Sequence, residues 1–202
     1  MLIKNFNNTF FYKSISYINR NEICKNIEIA FFGSSNVGKS TLINIITENN
    51  KLSIISKKPG STTMINLFKV LNNFFLVDLP GYGYSKKSKL QKNICNKLIF
   101  DYVNYRKQLI GLVFLMDIRN PLKKNDKIFL NIIIKKKIPF VILLTKADKL
   151  SFEEIKKKNI YVKKYFLNIK KIKNKIIIFF CNKENIILLR KKILSWFNFI
   201  FF

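Results

Sequence analysis

Along the chain, apolar positions fall into short runs separated by polar stretches, and the runs alternate between strand-length blocks and helical spacing. Ile27–Phe32, Gly111–Met116, Ile138–Leu144 and Ile176–Phe180 are apolar-rich and short, as suits strands buried on both faces of a sheet. Ile65–Leu71 and Phe74–Asp78 read as two more strands, joined by the turn signal Asn72-Asn73. Helical patterns lie between them, over about 39–48, 93–106, 121–136, 151–167 and 184–197. In the second of these, Ile94, Leu98, Tyr102 and Tyr105 share one face. Glu48-Asn49-Asn50-Lys51 ends the first helix, Pro121 suits a first helical turn, and Ser151-Phe152-Glu153-Glu154 is a capping-box pattern. The order β-α-β-β-α-β-α-β-α-β-α predicts an α/β fold, a mostly parallel sheet with one antiparallel strand and helices on both faces. Residues 1–26 have no clear period and are expected to form an N-terminal arm, packing Phe10, Phe11 and Tyr12 on a single domain over 27–202. Trp196 is expected to pack on that domain, and the apolar tail Phe199–Phe202 to close the core.

Composition narrows the chemistry. The chain has 202 residues, no histidine and three cysteines without a metal spacing. His-based triads and His-containing zinc sites are therefore excluded, and the cysteines fit a reducing cytosol. No apolar run is long enough to span a membrane and no secretory leader is visible, so a cytoplasmic protein is expected. The formal net charge is +27. Two readings of it stand side by side: binding to a polyanion, most plausibly RNA, and the Lys, Asn, Ile and Phe bias of an A+T-rich genome.

The first strand runs straight into Gly33-Ser34-Ser35-Asn36-Val37-Gly38-Lys39-Ser40, with Thr41-Leu42-Ile43 opening a helix. This is G-x-x-x-x-G-K-[ST] in its required strand–loop–helix context. Glycines admit close approach, the loop amides form an anion nest at a helix N-terminus, Lys39 reaches the β- and γ-phosphates, and Ser40 can hold Mg²⁺. Residues 52–64 form a polar loop with a Pro59-Gly60 turn, in the place of a nucleotide-sensitive switch; Thr62 or Thr63 could supply a second Mg²⁺ ligand. Asp78-Leu79-Pro80-Gly81 ends the following strand, where the Asp helps hold Mg²⁺ and the Gly81 amide senses a γ-phosphate. Tyr82-Gly83-Tyr84 and a mobile, lysine-rich stretch 85–90 follow. Thr145-Lys146-Ala147-Asp148 ends a buried strand. A carboxylate there accepts from guanine N1–H and the 2-amino group; adenine would leave it unpaired.

These residues together resemble a Ras-like GTPase. More closely, the chain resembles the bacterial EngB (YihA/YsxC) family of ribosome-assembly GTPases, through 28–44, Ser56–Phe68, V-D-L-P-G-Y-G-Y (77–84), D-I-R-N-P (117–121), L-T-K-A-D-K-L (144–150) and the terminal Trp196-Phe197. The resemblance implies a cytoplasmic, monomeric GTPase that needs Mg²⁺, acts on the large ribosomal subunit precursor (rRNA and ribosomal proteins) and is linked to cell division and septation. It implies phosphate binding by Gly33–Ser40 and a first switch over Gly60, Ser61, Thr62, Thr63 and Met64, with Thr62 beside Ser40 on the metal. It also implies γ-phosphate sensing by Asp78–Gly81, guanine reading by Thr145–Asp148, and backbone contacts to the base edge from Phe180, Cys181 and Asn182. Lys39, Thr62 and Gly81 are then the catalytic candidates. Ser34 and Ser61 stand where the family usually has Arg, and Cys181-Asn182 where it has Ser-Ser, so side-chain contacts there differ. Tyr82 occupies the place of a water-orienting Gln, which predicts slow intrinsic hydrolysis. Asn36 resembles a K⁺-coordinating Asn, and Arg119 is a weaker candidate for a finger in cis than for a loop salt bridge. Two other readings remain: a nucleotide-dependent RNA- or ribosome-binding module with negligible hydrolysis, and a basic RNA-binding protein with a decayed site.

Overall fold

The computed structural model describes residues 6–20, 25–53, 63–71, 73–83, 88–169, 178–180 and 183–201. Its spine is β5 (Leu109–Asp117), whose side chains are buried on both faces. Leu112, Phe114 and Met116 enter one hydrophobic cluster, while Val113 and Leu115 enter the other. This two-sided burial is the reason the strand reads as a continuous apolar run. On one side β5 pairs in parallel with β2 (Ile27–Gly33), which pairs in parallel with β4 (Phe74–Asp78). On the other lie β6 (Phe140–Thr145) and β7 (Ile178–Phe180), both parallel. β3 (Ile65–Leu71) runs antiparallel to β4, as the hairpin signal predicts.

The sheet has a further strand. β1 (Phe10–Ile15) pairs antiparallel with β3, giving seven strands in the order β1-β3-β4-β2-β5-β6-β7. Sequence periodicity misses β1 because its first five residues are all exposed and a bulge between Phe11 and Lys13 breaks the alternation. Phe11 and Tyr12 do pack on the domain, with rings 6.0 Å from Phe68 and 5.3 Å from Phe75.

α1 (Lys39–Thr47) and α5 (Lys183–Phe201) cover one face of the sheet. α2 (Lys89–Tyr105), α3 (Lys124–Lys135) and α4 (Phe152–Leu167) cover the other. α2 departs from expectation: it starts at Lys89, because Ser88 caps it by accepting from the Gln91 amide. Its buried face is Cys95, Leu98, Ile99, Tyr102 and Val103, which leaves Ile94 and Tyr105 exposed. α3 starts after Pro121, at Lys124, where Asp126 accepts from the Lys123 amide. α5 continues past Phe197 to Phe201, through most of the expected tail. Trp196 is buried, as expected, over Gly111 of β5; a Cβ on Gly111 would lie 2.4 Å from its ring.

A buried polar staple holds the lower end of the molecule. Arg106, which caps α2, pairs with Glu28 of β2 at 2.6 Å, and the Tyr102 hydroxyl donates to the same carboxylate at 2.8 Å. Burial and the Glu28 charge push the Tyr102 hydroxyl well above its usual range, so it stays a donor.

Candidate functional site

The parallel strands end on one rim, where open α/β sheets bind ligands. β2 enters the phosphate loop at Gly33, where a Cβ would lie 2.5 Å from the Leu115 carbonyl and 2.9 Å from Val37. Gly38, the N-cap of α1, has φ 102°, a left-handed conformation that a side chain would strain. α1 begins with no side-chain cap and no acidic residue in its first turn. Its first amides and its dipole are therefore left unopposed, which suits an anion. Lys39 is 8% exposed and folds back, its Nζ donating to the Gly33 and Ser34 carbonyls at 3.3 Å each. Exposed Asn36 sits at the loop's outer turn with φ 60°.

The end of β4 meets this loop. Ser40 Oγ donates to Asp78 Oδ2 at 3.0 Å. Burial raises the Asp78 pKa, against the Lys39 charge and the Ser40 and Ser53 hydroxyls, which lower it. Its second oxygen, Oδ1, is buried and accepts no hydrogen bond. A hydroxyl beside an under-used buried carboxylate fits Mg²⁺, which takes one or two protein oxygens and fills its octahedron with phosphate oxygens and water. Among the described residues no cluster of three or more acidic, Cys or His side chains offers a fuller protein cage.

Leu79 and Pro80 are buried and carry the chain to Gly81, which lies directly under Ser35. A Cβ on Gly81 would be 2.7 Å from Ser35 Cα and 2.8 Å from its nitrogen. The Ser35 amide donates to the Tyr82 carbonyl at 3.0 Å. Tyr82 itself points away into the core. Its ring sits 5.0 Å from both Phe32 and Phe129, and its hydroxyl donates to Asp126 at 2.5 Å. No side chain of residue 82 is therefore directed at the phosphate loop.

β6 delivers Thr145, whose hydroxyl donates to the Met116 carbonyl at 3.3 Å. Lys146 follows with φ 63°, and Ala147 opens a single 3-10 turn that presents Asp148 with 69% of its side chain exposed. Asp117, at the end of β5, organises this loop. Its carboxylate pairs with Lys146 Nζ at 3.2 Å and with Arg119 at 2.7 Å. Partial burial alone would raise its pKa, but the Arg119 side-chain and backbone hydrogen bonds, with Lys146, hold it at about 2. Arg119 thus makes the loop salt bridge expected of it. Phe180 pairs with Leu144, so β7 ends beside Thr145.

Thr63 and Met64 lie exposed at the entry to β3. Gly60, Ser61, Thr62, Cys181, Asn182 and the stretch 84–87 lie outside the described residues. Sequence reasoning did not assign roles to Asp117 or Asp126. D-I-R at 117–119 signalled the first, whereas nothing local pairs Asp126 with Tyr82, 44 positions away.

This sheet, with G-x-x-x-x-G-K-S, D-x-x-G and T-K-x-D on one rim, defines a P-loop GTPase. A family model described as 50S ribosome-binding GTPase matches residues 28–146. The chain is 49% identical over 156 residues to a probable GTP-binding protein EngB of Buchnera aphidicola subsp. Schizaphis graminum, covering 77% of this chain and 78% of that one. It is 52% identical over 124 residues to a probable EngB of Flavobacterium johnsoniae, covering 61% and 59%. Among solved structures, a probable GTP-binding protein engB superposes with TM-score 0.64 at 23% identity, over 84% of this chain and 97% of that one. A single-residue variant of Aquifex aeolicus Era bound to GDP·AlF4⁻ superposes with TM-score 0.63 at 25% identity, over 84% and 56%. The chain belongs to the EngB family of GTP-binding proteins. Among the described residues, no helix is long and apolar enough to cross a membrane.

Proposed function

We propose that this protein is a GTP switch with slow intrinsic hydrolysis that acts in assembly of the large ribosomal subunit, as a cytoplasmic monomer, with a link to cell division and septation. The observation that carries the reading is the convergence of Gly33–Ser40 and Asp78–Gly81, joined by the 3.0 Å Ser40–Asp78 hydrogen bond, on the rim that also presents Asp148. The family match to 50S ribosome-binding GTPases supports the ribosomal partner.

In this reading Lys39 leaves the Gly33 and Ser34 carbonyls to neutralise the β- and γ-phosphates, while the loop amides and the start of α1 bind the phosphate oxygens. Ser40 and Thr62 would hold Mg²⁺ with Asp78 close by, and the ion would supply positive charge to neutralise the phosphates. The Gly81 amide donates to the γ-phosphate and couples its presence to the segment after it. Tyr82 is committed to Asp126, so no side chain there orients water, which supports a slow intrinsic rate. Asn36 would help hold a K⁺ ion against the phosphates. Asp148 reads guanine, with the Lys146 stem alongside the base; Phe180, Cys181 and Asn182 contribute backbone at the base edge.

The test is calorimetry with Mg²⁺, comparing GDP and ADP on wild type and Asp148→Ala. Micromolar GDP binding without detectable ADP binding is expected, with a loss of about 100-fold or more in the variant, since hydrogen bonds to a charged group are worth about 1.5–3 kcal/mol each. Equal binding of both nucleotides would sink the assignment of Thr145–Asp148. Turnover with and without K⁺ and ribosomal particles then measures the slow rate and its activation.

A further inference from the structure

We infer that the outer part of the sheet, on the face that α2–α4 cover elsewhere, binds single-stranded RNA; this rests on the ribosomal-RNA reading above and names the surface that would carry it. Directly paired residues of antiparallel strands share a face. Phe10 pairs with Lys69, which pairs with Phe75, and Lys13 pairs with Leu67, which pairs with Val77. Phe75, Leu67 and Val77 belong to the cluster under α2–α4, so Phe10, Lys69 and Lys13 lie on that same face. There the helices do not reach the edge. Phe10 is 53% exposed, and Tyr12, packed on Phe75, is 49% exposed. The Lys13 ammonium stands 5.6 Å over the Tyr12 ring. On α2, the Arg20 guanidinium stacks 3.7 Å over the ring of Tyr105 and pairs with Asp101.

The half-exposed Tyr12 ring, supported from beneath by Phe75 and flanked by Phe10, Lys13 and Lys69, forms a stacking platform for unpaired bases with cations for the backbone. A duplex hides its base faces and cannot use the rings. A protein strand adding to the β1 edge is the less suited occupant. The bulge at Tyr12 interrupts the edge's hydrogen-bonding register, and Lys13 on the edge opposes strand addition. The net charge of +27 suits a polyanion and disfavours most basic protein segments.

The experiment measures fluorescence anisotropy of the full chain with GDP on a mixed-sequence 12-nucleotide RNA and on the same sequence as duplex, across salt concentrations. In parallel, co-sedimentation with large ribosomal subunits is followed. Phe10→Ala/Tyr12→Ala is expected to weaken single-strand binding about 10-fold or more, with the salt slope and GDP affinity unchanged and duplex binding unaffected. Lys13→Gln/Lys69→Gln is expected to flatten the salt slope by about 0.7 per lysine. If GDP binding shows that the alanine pair does not fold, Phe10→Leu/Tyr12→Leu keeps apolar bulk without rings and should show the same loss. Wild-type single-strand affinity in the aromatic variants overturns the proposal. So does subunit binding that needs Tyr12 while RNA binding does not, which would assign the face to a protein strand. A wild-type chain that sediments with subunits but ignores the RNA overturns the platform and leaves the switch reading standing. A chain that does neither overturns both.

Discussion

Asp117 holds two cations at once, Arg119 and Lys146, and so anchors the loop that follows β6. Its pKa of about 2 lies below the unfolded value of 3.8. A depressed carboxylate stabilises the fold fully above its unfolded pKa and loses that contribution as pH falls through its folded one. The protein should therefore lose about 1–2 kcal/mol from this group between about pH 4 and pH 2, after allowance for solvent screening of a partly exposed pair. Urea midpoints measured over that range should fall less steeply for Asp117→Asn than for wild type. The variant should also bind GDP more weakly at pH 7, because Lys146 loses its anchor at 3.2 Å. A wild-type pH profile in Asp117→Asn would remove this carboxylate from the account.

At the scale of elements, the seam between β2 and α2 depends on a staple that no periodicity displays. Glu28 is fully buried inside an otherwise apolar strand, with Arg106 accepting burial as its partner. Removing one member of such a pair strands a charge in the core, whereas replacing both with apolar groups of similar size is often neutral. Arg106→Met should cost about 3–5 kcal/mol, and Glu28→Leu/Arg106→Met/Tyr102→Phe, which also removes the hydroxyl that donates to Glu28, should recover most of it. Denaturant unfolding of the two variants decides this; equal losses in both would mean that the staple's geometry, rather than stranded charge, controls the seam. Spacing alone placed Ile94 and Tyr105 inward with Leu98 and Tyr102, whereas the face that meets the core is Cys95, Leu98, Ile99, Tyr102 and Val103.

At the scale of the whole molecule, nucleotide and cation should act as part of the fold. Lys39, Ser40 and Asp78 come from two elements, and Asp148 from a third. A ligand touching all of them stabilises the native state by mass action, by about 2.7 kcal/mol at 100 times its Kd. For a chain of this size that is a rise of about 5–10 °C in the unfolding midpoint. Thermal unfolding should show this rise with GDP and Mg²⁺, a smaller one with GDP and chelator, and none with ADP. Lys39→Ala should lose most of it. An equal rise with ADP would argue against guanine selection, and no rise with GDP against the convergence of the three elements.

The three motifs were legible in the sequence because each is contiguous. A loop cradling phosphate needs its glycines, lysine and hydroxyl within eight consecutive positions, and Gly33–Ser40, Asp78–Gly81 and Thr145–Asp148 each fall at a strand end that local apolar runs reveal. Strands buried on both faces and helices with one apolar face fixed the element order in the same way, and with it the parallel sheet. What only the tertiary structure decided lies between residues far apart. Tyr82 meets Asp126 across 44 positions and Glu28 meets Arg106 across 78. β1 became a strand through pairing with β3, since an edge strand exposed on both faces has no hydrophobic period to show. Local pattern reports how much of each residue is buried. Which distant residue satisfies a buried charge or an open strand edge is settled by packing, and no local period encodes it.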